Sequence, residues 1–392
     1  MDARVRDDKP GKPRAANKAT AVAPPPGQIV LVLQGGGALG AYQAGVYQAL
    51  HEAGIEPDWI IGTSIGAINA AIIAGNERDR RMEALEKFWE SLEWRSPFGH
   101  GAMTPSLVNP WANLSVLMQG VPGFFQPNAA SWWGLQTAVG IEQAAFYRTA
   151  PLRDTLNALV DFELPNRCKP RLSVGAVNAR TGEMRYFDSR FCALRAEHVM
   201  ASGALPPAFP AIRIDGEPYW DGGVYSNTPI EAVLDDNPRK SSTIFSVHLW
   251  NPSGTEPDSI WQVMNRQKDI QYASRAVTHI ARQKQIHHLR HVIKELADRL
   301  PPETRNTDAV RGLESWGCRT TMHVVRLLAP RLMSEDQTKD IDFTPNGIHT
   351  RWKAGYEDAR DAIAGAPWTH SADQHEGVVL HEHESHQLSM AG

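Results

Sequence analysis

Cysteine is scarce in this chain: Cys168, Cys192 and Cys318 are the three among 392 residues. An odd count, widely spaced and without a C-x-x-C pair, argues against a disulfide framework, a thioredoxin-like motif or a zinc ribbon. Ordinary thiols fit a reducing compartment, so a cytoplasmic location is expected. Long apolar runs are lacking too. Nowhere do about 18 apolar residues follow one another, so no membrane-crossing helix is expected. Nor is there a surplus of charge: 40 Lys and Arg face 44 Asp and Glu, a net of −4. Such a balance gives no general attraction for nucleic-acid phosphate or an anionic membrane, so nucleic acid is not an expected partner and any membrane contact must be local. What is present is 42% hydrophobic residues and enough length for one large α/β domain or two smaller ones.

Residues 1–27 mix Arg, Lys and Asp, then run Ala-Val-Ala-Pro-Pro-Pro, and read as a disordered leader without the apolar core of a signal peptide. Order is expected from Gln28. Ile29 to Leu33 form a short continuous apolar run, as in strands buried on both faces. It enters the glycine turn 35–40, after which Tyr42, Val46, Leu50 and Ala53 recur at helical spacing up to Gly54. A second unit follows at once, with a strand at 59–61, a turn at 62–66 and a small-residue helix at 67–74. Two consecutive strand–turn–helix units imply parallel strands covered by helices. Further strands are expected at 171–177, 243–250 and 323–328.

Between 96 and 134 the pattern breaks into Pro, Gly and large apolar residues, among them Phe98, Trp111, Phe124, Phe125, Trp132 and Trp133. The segment reads as a cap or lipid-contact insertion, or as an insertion packed onto the core. A helical excursion occupies 258–315, with its main helix over 260–300. His287 and His291 lie one turn apart there, but no acidic partner marks a metal site, and a solvated helix face is the plainer expectation. A helical segment is expected at 331–366 and a disordered His-rich tail at 367–392, where His370, His375, His381, His383 and His386 stand among Glu and Gln.

A hydroxyl becomes a useful nucleophile only when a base takes its proton and donors stabilise the oxyanion it creates. Gly62-Thr63-Ser64-Ile65-Gly66 is a G-x-S-x-G pattern between an apolar strand and an Ala-rich helix. That context places Ser64 on a sharp turn, with the Ile65 amide and the helix N-terminus facing the developing charge. Gly62 and Gly66 permit the close approach. Alone the pattern is common, and Ser64 could simply cap a helix. The turn Gly35-Gly36-Gly37, ending at Gly40, exposes amides that suit an oxyanion hole or a phosphate. Gly35, Gly37 and Gly40 also fit the dinucleotide fingerprint, with Glu56 or Asp58 about 20 residues on. Acyl transfer is favoured by the serine elbow one unit later, and by Asp221 followed by Gly222 and Gly223, an acid whose flanking glycines allow close approach.

In this order the three motifs resemble those of the patatin-like phospholipases, of a bacterial type with an extended C-terminal region. The likeness spans roughly 28–328, and the stretch 201–210 resembles the segment before the family's aspartate. The resemblance implies a three-layer α/β/α fold around a central, mostly parallel sheet, with an acyl hydrolase domain over 28–330. It also implies Ser64 as nucleophile, Asp221 as the base of a Ser–Asp dyad, and the amides of Gly35, Gly36 and Gly37, with Ile65, as oxyanion hole. The implied substrates are phospholipids, galactolipids, acylglycerols or other acyl esters met at a lipid surface, with no cofactor and no metal. Two alternatives remain: a Ser-Asp-His triad using His248, and a nucleotide-binding or scaffold protein with a vestigial elbow.

Overall fold

Residues 23–94, 118–130, 134, 136–167, 170–332, 335, 337–370, 373 and 375–382 are described by a computed structural model, with the backbone alone at 274–276. The apolar run after Gln28 forms β1 (Gln28–Leu33). It is followed by β2 (Trp59–Thr63), the two-residue pair β3 (Gln126–Pro127) and β4 (Tyr147–Arg148), β5 (Arg171–Asn178), β6 (Met184–Asp188), β7 (Ile212–Ile214), β8 (Glu217–Asp221), β9 (Ser242–His248), β10 (Met322–Leu328) and β11 (Val378–Glu382). The main sheet runs β11-β10-β9-β1-β2-β5-β8-β7, with β6 also on β5. From β11 through β5 every pairing is parallel, whereas β6, β7 and β8 pair antiparallel.

Alternate residues of β1 enter different cores. Leu31 and Leu33 pack with α1 (Ala41–Glu52), α2 (Ile65–Ala74) and α3 (Arg81–Ser91). Val30 and Val32 pack on the other face with Ile230, Val233, Leu234 and Ile280. Helices therefore cover both faces, giving three layers around a mostly parallel sheet, the architecture expected from the repeated strand–turn–helix units. On the first face α2 is wholly buried, which explains its Ala and Ile composition. Behind it α1 crosses the C-terminal helix Pro345–Gly365 closely: a Cβ at Gly45 would lie 1.9 Å from the Trp352 carbonyl oxygen, and one at Gly355 2.0 Å from that of Tyr42.

Several expectations need correction. The tail is not wholly without structure, because Val378–Glu382 extends the sheet as β11, parallel to β10. Nearby, Trp368 is buried and its indole donates to the Ala23 carbonyl oxygen at 3.0 Å. The end of the leader is thus held as well, and Thr243 Oγ1 donates to the Pro26 carbonyl oxygen at 2.9 Å; residues 1–22 lie outside the described residues. His287 and His291 are buried rather than solvated. Their helix, Ile260–Arg299, covers the strand-adding tail, so that a Cβ at Gly377 would lie 2.8 Å from His287 Cβ and 3.0 Å from His291 Nε2. Of the aromatic insertion, Phe124 and Phe125 pack into the first core beside Tyr147, Phe209 and Phe343. Phe98, Trp111, Trp132 and Trp133 lie outside the described residues.

Candidate active site

Because β1, β2 and β5 are neighbours and parallel, the turns leaving their C-terminal ends share one edge of the sheet. The chain leaves β1 for β2 on one side, while β9 joins β1 on the other, so the glycine turn lies where the connections diverge. Crevices at such points are the usual ligand sites of open α/β sheets.

Ser64 follows β2 with φ 56 and ψ −127, a left-handed conformation that costs a non-glycine residue free energy and must be held by its surroundings. Its glycines leave no room for side chains. A Cβ at Gly62 would lie 2.2 Å from the Gly66 carbonyl oxygen, and one at Gly66 2.3 Å from that of Leu33. The Ser64 amide donates to the Ser202 carbonyl oxygen and to Ser202 Oγ, both at 3.1 Å. In turn Ser202 Oγ donates to the Gly175 carbonyl oxygen at 2.6 Å, fastening the elbow to β5. The Ser64 hydroxyl does not cap α2; it lies beside the buried Asp221 carboxylate and helps hold that group's pKa down against burial.

Asp221 ends β8, whose antiparallel register opposite Ala176 of β5 carries it to this edge. Its amide donates to the Ala204 carbonyl oxygen at 3.0 Å, and its Oδ1 accepts from the Gly223 amide at 2.6 Å. The residue is 1% exposed. Burial pushes its carboxyl up to about 7, against the opposing pull of the nearby Ser64 hydroxyl and of the hydrogen bond from the Gly223 amide. A carboxylate deprived of water resists ionisation and is correspondingly more basic. Gly222 is obligatory here, since a Cβ would stand 2.6 Å from the Gly175 carbonyl oxygen.

The glycine turn lies against this pair, with a Cβ on Gly35 falling 3.0 Å from Ser64 Cβ. One expectation fails. The Gly35 amide already donates to the Asn227 carbonyl oxygen at 3.1 Å, and its carbonyl accepts from Asn227 Nδ2 and Trp250 Nε1 at 3.0 and 2.8 Å. Gly35 is thus a latch between β1 and the segment after Asp221, and its amide is not available to an oxyanion. Among the described residues, the amides of Gly36, Gly37 and Ile65 donate to no protein acceptor. Gly37 takes φ +56, and Gly40 packs so closely that a Cβ would lie 2.6 Å from the Ile65 side chain.

Three supporting residues were not foreseen. Gln34 is fully buried; its side chain donates to Thr228 Oγ1 at 2.7 Å and accepts from the amides of Leu249 and Trp250. A polar residue closing a wholly apolar strand was its available signal. Asn227 and Ser202 carried none beyond nearness to recognised motifs. Tyr272 of the long helix is a fourth surprise: its carbonyl accepts from Gln34 Nε2 at 3.2 Å and Asn227 Nδ2 at 3.4 Å, and its ring packs 4.9 Å from that of Trp250.

Neither alternative gains support from the geometry. His248 is buried with its Nε2 3.0 Å from Ser246 Oγ, and among the described residues no hydrogen bond joins it to Ser64 or Asp221. Glu56 is bound by Arg81 at 2.6 Å and His51 at 2.5 Å, while Asp58 accepts from the Ile29 amide at 3.0 Å. Both acids that could have met a ribose are occupied by the fold.

Comparison with known proteins agrees with the motifs. The family model described as patatin-like phospholipase matches residues 31–234, and a second, described as patatin phospholipase, matches 270–375. A patatin-like phospholipase domain-containing protein of Caenorhabditis elegans, ZK370.4, is 30% identical over 152 residues, 36% of this chain and 11% of that one. Lysophospholipase nte1 of Aspergillus terreus is 64% identical over 46 residues, 12% and 3% of the two chains. Triacylglycerol lipase ptl3 of Schizosaccharomyces pombe is 40% identical over 62 residues, 16% and 13%. These matches thus span a small part of each relative's own length. Among solved structures, VipD from Legionella pneumophila aligns with a TM-score of 0.40 at 19% identity, covering 87% of this chain and 67% of that one. With the first model matching more than half of the sequence across the glycine turn, the serine elbow and Asp221, the chain belongs to the patatin-like phospholipase family.

Proposed function

We propose that the protein is a serine lipid-acyl hydrolase that cleaves carboxylic esters through a Ser64–Asp221 dyad. The observation that carries this reading is the Ser64 hydroxyl, held at a strained elbow beside a buried carboxylate instead of capping its own helix. Asp221 takes the hydroxyl proton as Ser64 Oγ attacks the ester carbonyl. The amides of Gly36, Gly37 and Ile65 are the donors for the resulting oxyanion, aided by the N-terminus of α2. When the tetrahedral species collapses, the ester C–O bond breaks and the alcohol leaves with the proton from Asp221, which leaves Ser64 acylated. Water gives a proton to Asp221 and attacks the acyl carbon; collapse returns the proton to Ser64 and releases the fatty acid. A carboxyl titrating near neutrality suits both directions of transfer.

Relatives named as a lysophospholipase and a triacylglycerol lipase make acyl esters of glycerol the substrate class proposed here. The test is hydrolysis of p-nitrophenyl esters of graded chain length by wild type, Ser64→Ala and Asp221→Asn, with fluorophosphonate labelling alongside. Turnover and labelling in wild type, with both lost in folded Ser64→Ala, is the expected result. An inert wild type, or an active Ser64→Ala, would overturn it, and the glycine turn would then be assayed for nucleotide binding.

A further inference from the structure

The helix Ile260–Arg299 is apolar on two sides over its first half. Inward, Asp269, Tyr272, Ala273 and Ile280 are buried or half-buried against the protein. Outward, Ile260, Trp261, Val263, Met264, Ile270 and Val277 are all exposed, Ile260 by 79% and Trp261 by 63%. Most of these outward residues follow one another at helical spacing, and a stripe of this kind on a soluble protein marks a contact surface.

Charge decides between occupants. From Ile260 to Ile293 the sequence holds Arg266, Lys268, Arg275, Arg282, Lys284 and Arg290 against one acid, Asp269. That acid is buried and neutralised by Lys339 at 2.6 Å and Arg331 at 2.5 Å, so it offers nothing to a partner. Lys268 and Lys284 pair with Asp340 and Glu376, whereas exposed Arg282 has no ion pair among the described residues. A second copy of the chain, packed stripe to stripe about a two-fold axis, would set this basic helix against itself. An anionic lipid surface takes both the apolar stripe and the exposed, unpaired Arg282, and a tryptophan at the edge of such a stripe fits the headgroup boundary.

The helix is also joined to the candidate site. The Tyr272 carbonyl is bonded by Gln34 and Asn227, which hold the glycine turn, and Val224 and Tyr225, just beyond Asp221, are exposed as well. We infer that the outward face of Ile260–Val277 is an interfacial docking surface that seats the protein on anionic lipid with the Ser64 crevice at the membrane. This deepens the proposed function and rests on it for the purpose of docking, but the binding itself can be measured without turnover.

The experiment compares wild type, Ser64→Ala, the double variant Trp261→Gln/Met264→Gln, and Arg282→Gln. Each is co-sedimented with vesicles of phosphatidylcholine alone, or of phosphatidylcholine and phosphatidylglycerol in equal parts. Wild type and Ser64→Ala are expected to bind the anionic vesicles equally. The apolar double variant loses about tenfold or more in partitioning, while its turnover of a soluble short-chain ester is unchanged. The arginine variant loses binding to anionic vesicles only. Vesicle binding without any ester turnover would sink the hydrolase reading and leave the surface standing. Equal binding by the apolar variant, or a dimer in light scattering that this variant disperses, would overturn the inference.

Discussion

At Ser64 and Asp221 the free energy of the fold and the proposed chemistry are opposed. Asp221 is raised to about 7 from the 3.8 of an exposed aspartate, so the folded protein holds its proton more tightly than the unfolded chain does. Its stabilising contribution is therefore complete below about pH 4 and lost as pH rises through about 7. The proposed base works only when ionised, so kcat/KM should climb with pH with a midpoint near 7; a midpoint near 4 would mean that another group limits the rate. Asp221→Asn removes the titration while keeping an acceptor for the Gly223 amide. We expect this variant to be inactive, and at pH 8 to unfold at higher urea than wild type by up to about 4 kcal/mol, an advantage that shrinks toward pH 5. Ser202 acts one step removed, through the Ser64 amide and the Gly175 carbonyl. Ser202→Ala should cost about 1–3 kcal/mol, and should lower kcat with little change in KM for a short soluble ester.

At the scale of elements, the layer over the first face depends on close backbone contact between α1 and the helix Pro345–Gly365. Gly45 and Gly355 face carbonyl oxygens at distances where no Cβ fits, so Gly355→Ala must push the two helices apart. A loss of about 1–3 kcal/mol in urea titration is expected, with fluorophosphonate labelling retained by the molecules that remain folded. Unchanged stability would show that the helices separate without cost. The strand β11 belongs to the same scale. It covers β10, an apolar strand that would otherwise be an edge. A chain ending at residue 370 should melt earlier and self-associate on size exclusion, because the bare β10 ladder can pair with another copy.

Across the whole molecule, acid acts through buried histidines. Burial lowers His248 to about 3 and His287 to about 4, so each stays neutral in the fold but takes a proton near 6.5 when unfolded. Groups of that kind stabilise above pH 6.5, and the contribution drains away as pH falls toward the folded values. Between pH 7 and 5 the two together withdraw about 4 kcal/mol, while protonation of Asp221 returns about 2. A lower Tm at pH 5 than at pH 7 is the expected balance. The drop should deepen in Asp221→Asn, which lacks the compensating group.

Much of this was legible in the sequence because it is local. An apolar run, a glycine turn and a helical spacing, twice over, specify parallel strands with helices on both faces. The G-x-S-x-G and D-G-G patterns identify their residues because those turns exclude any side chain at the glycines. The sequence alone could not tell a serine that caps a helix from one that meets an acid. That depended on β8 running antiparallel to β5, which sets Asp221, 157 positions after Ser64, at the edge where the elbow opens. Tertiary structure also spent the Gly35 amide on Asn227, buried His287 under the tail and turned Val378–Glu382 into a strand. Each of these outcomes is a pairing between distant segments, and periodicity along a chain records which face a residue prefers without recording what will cover it.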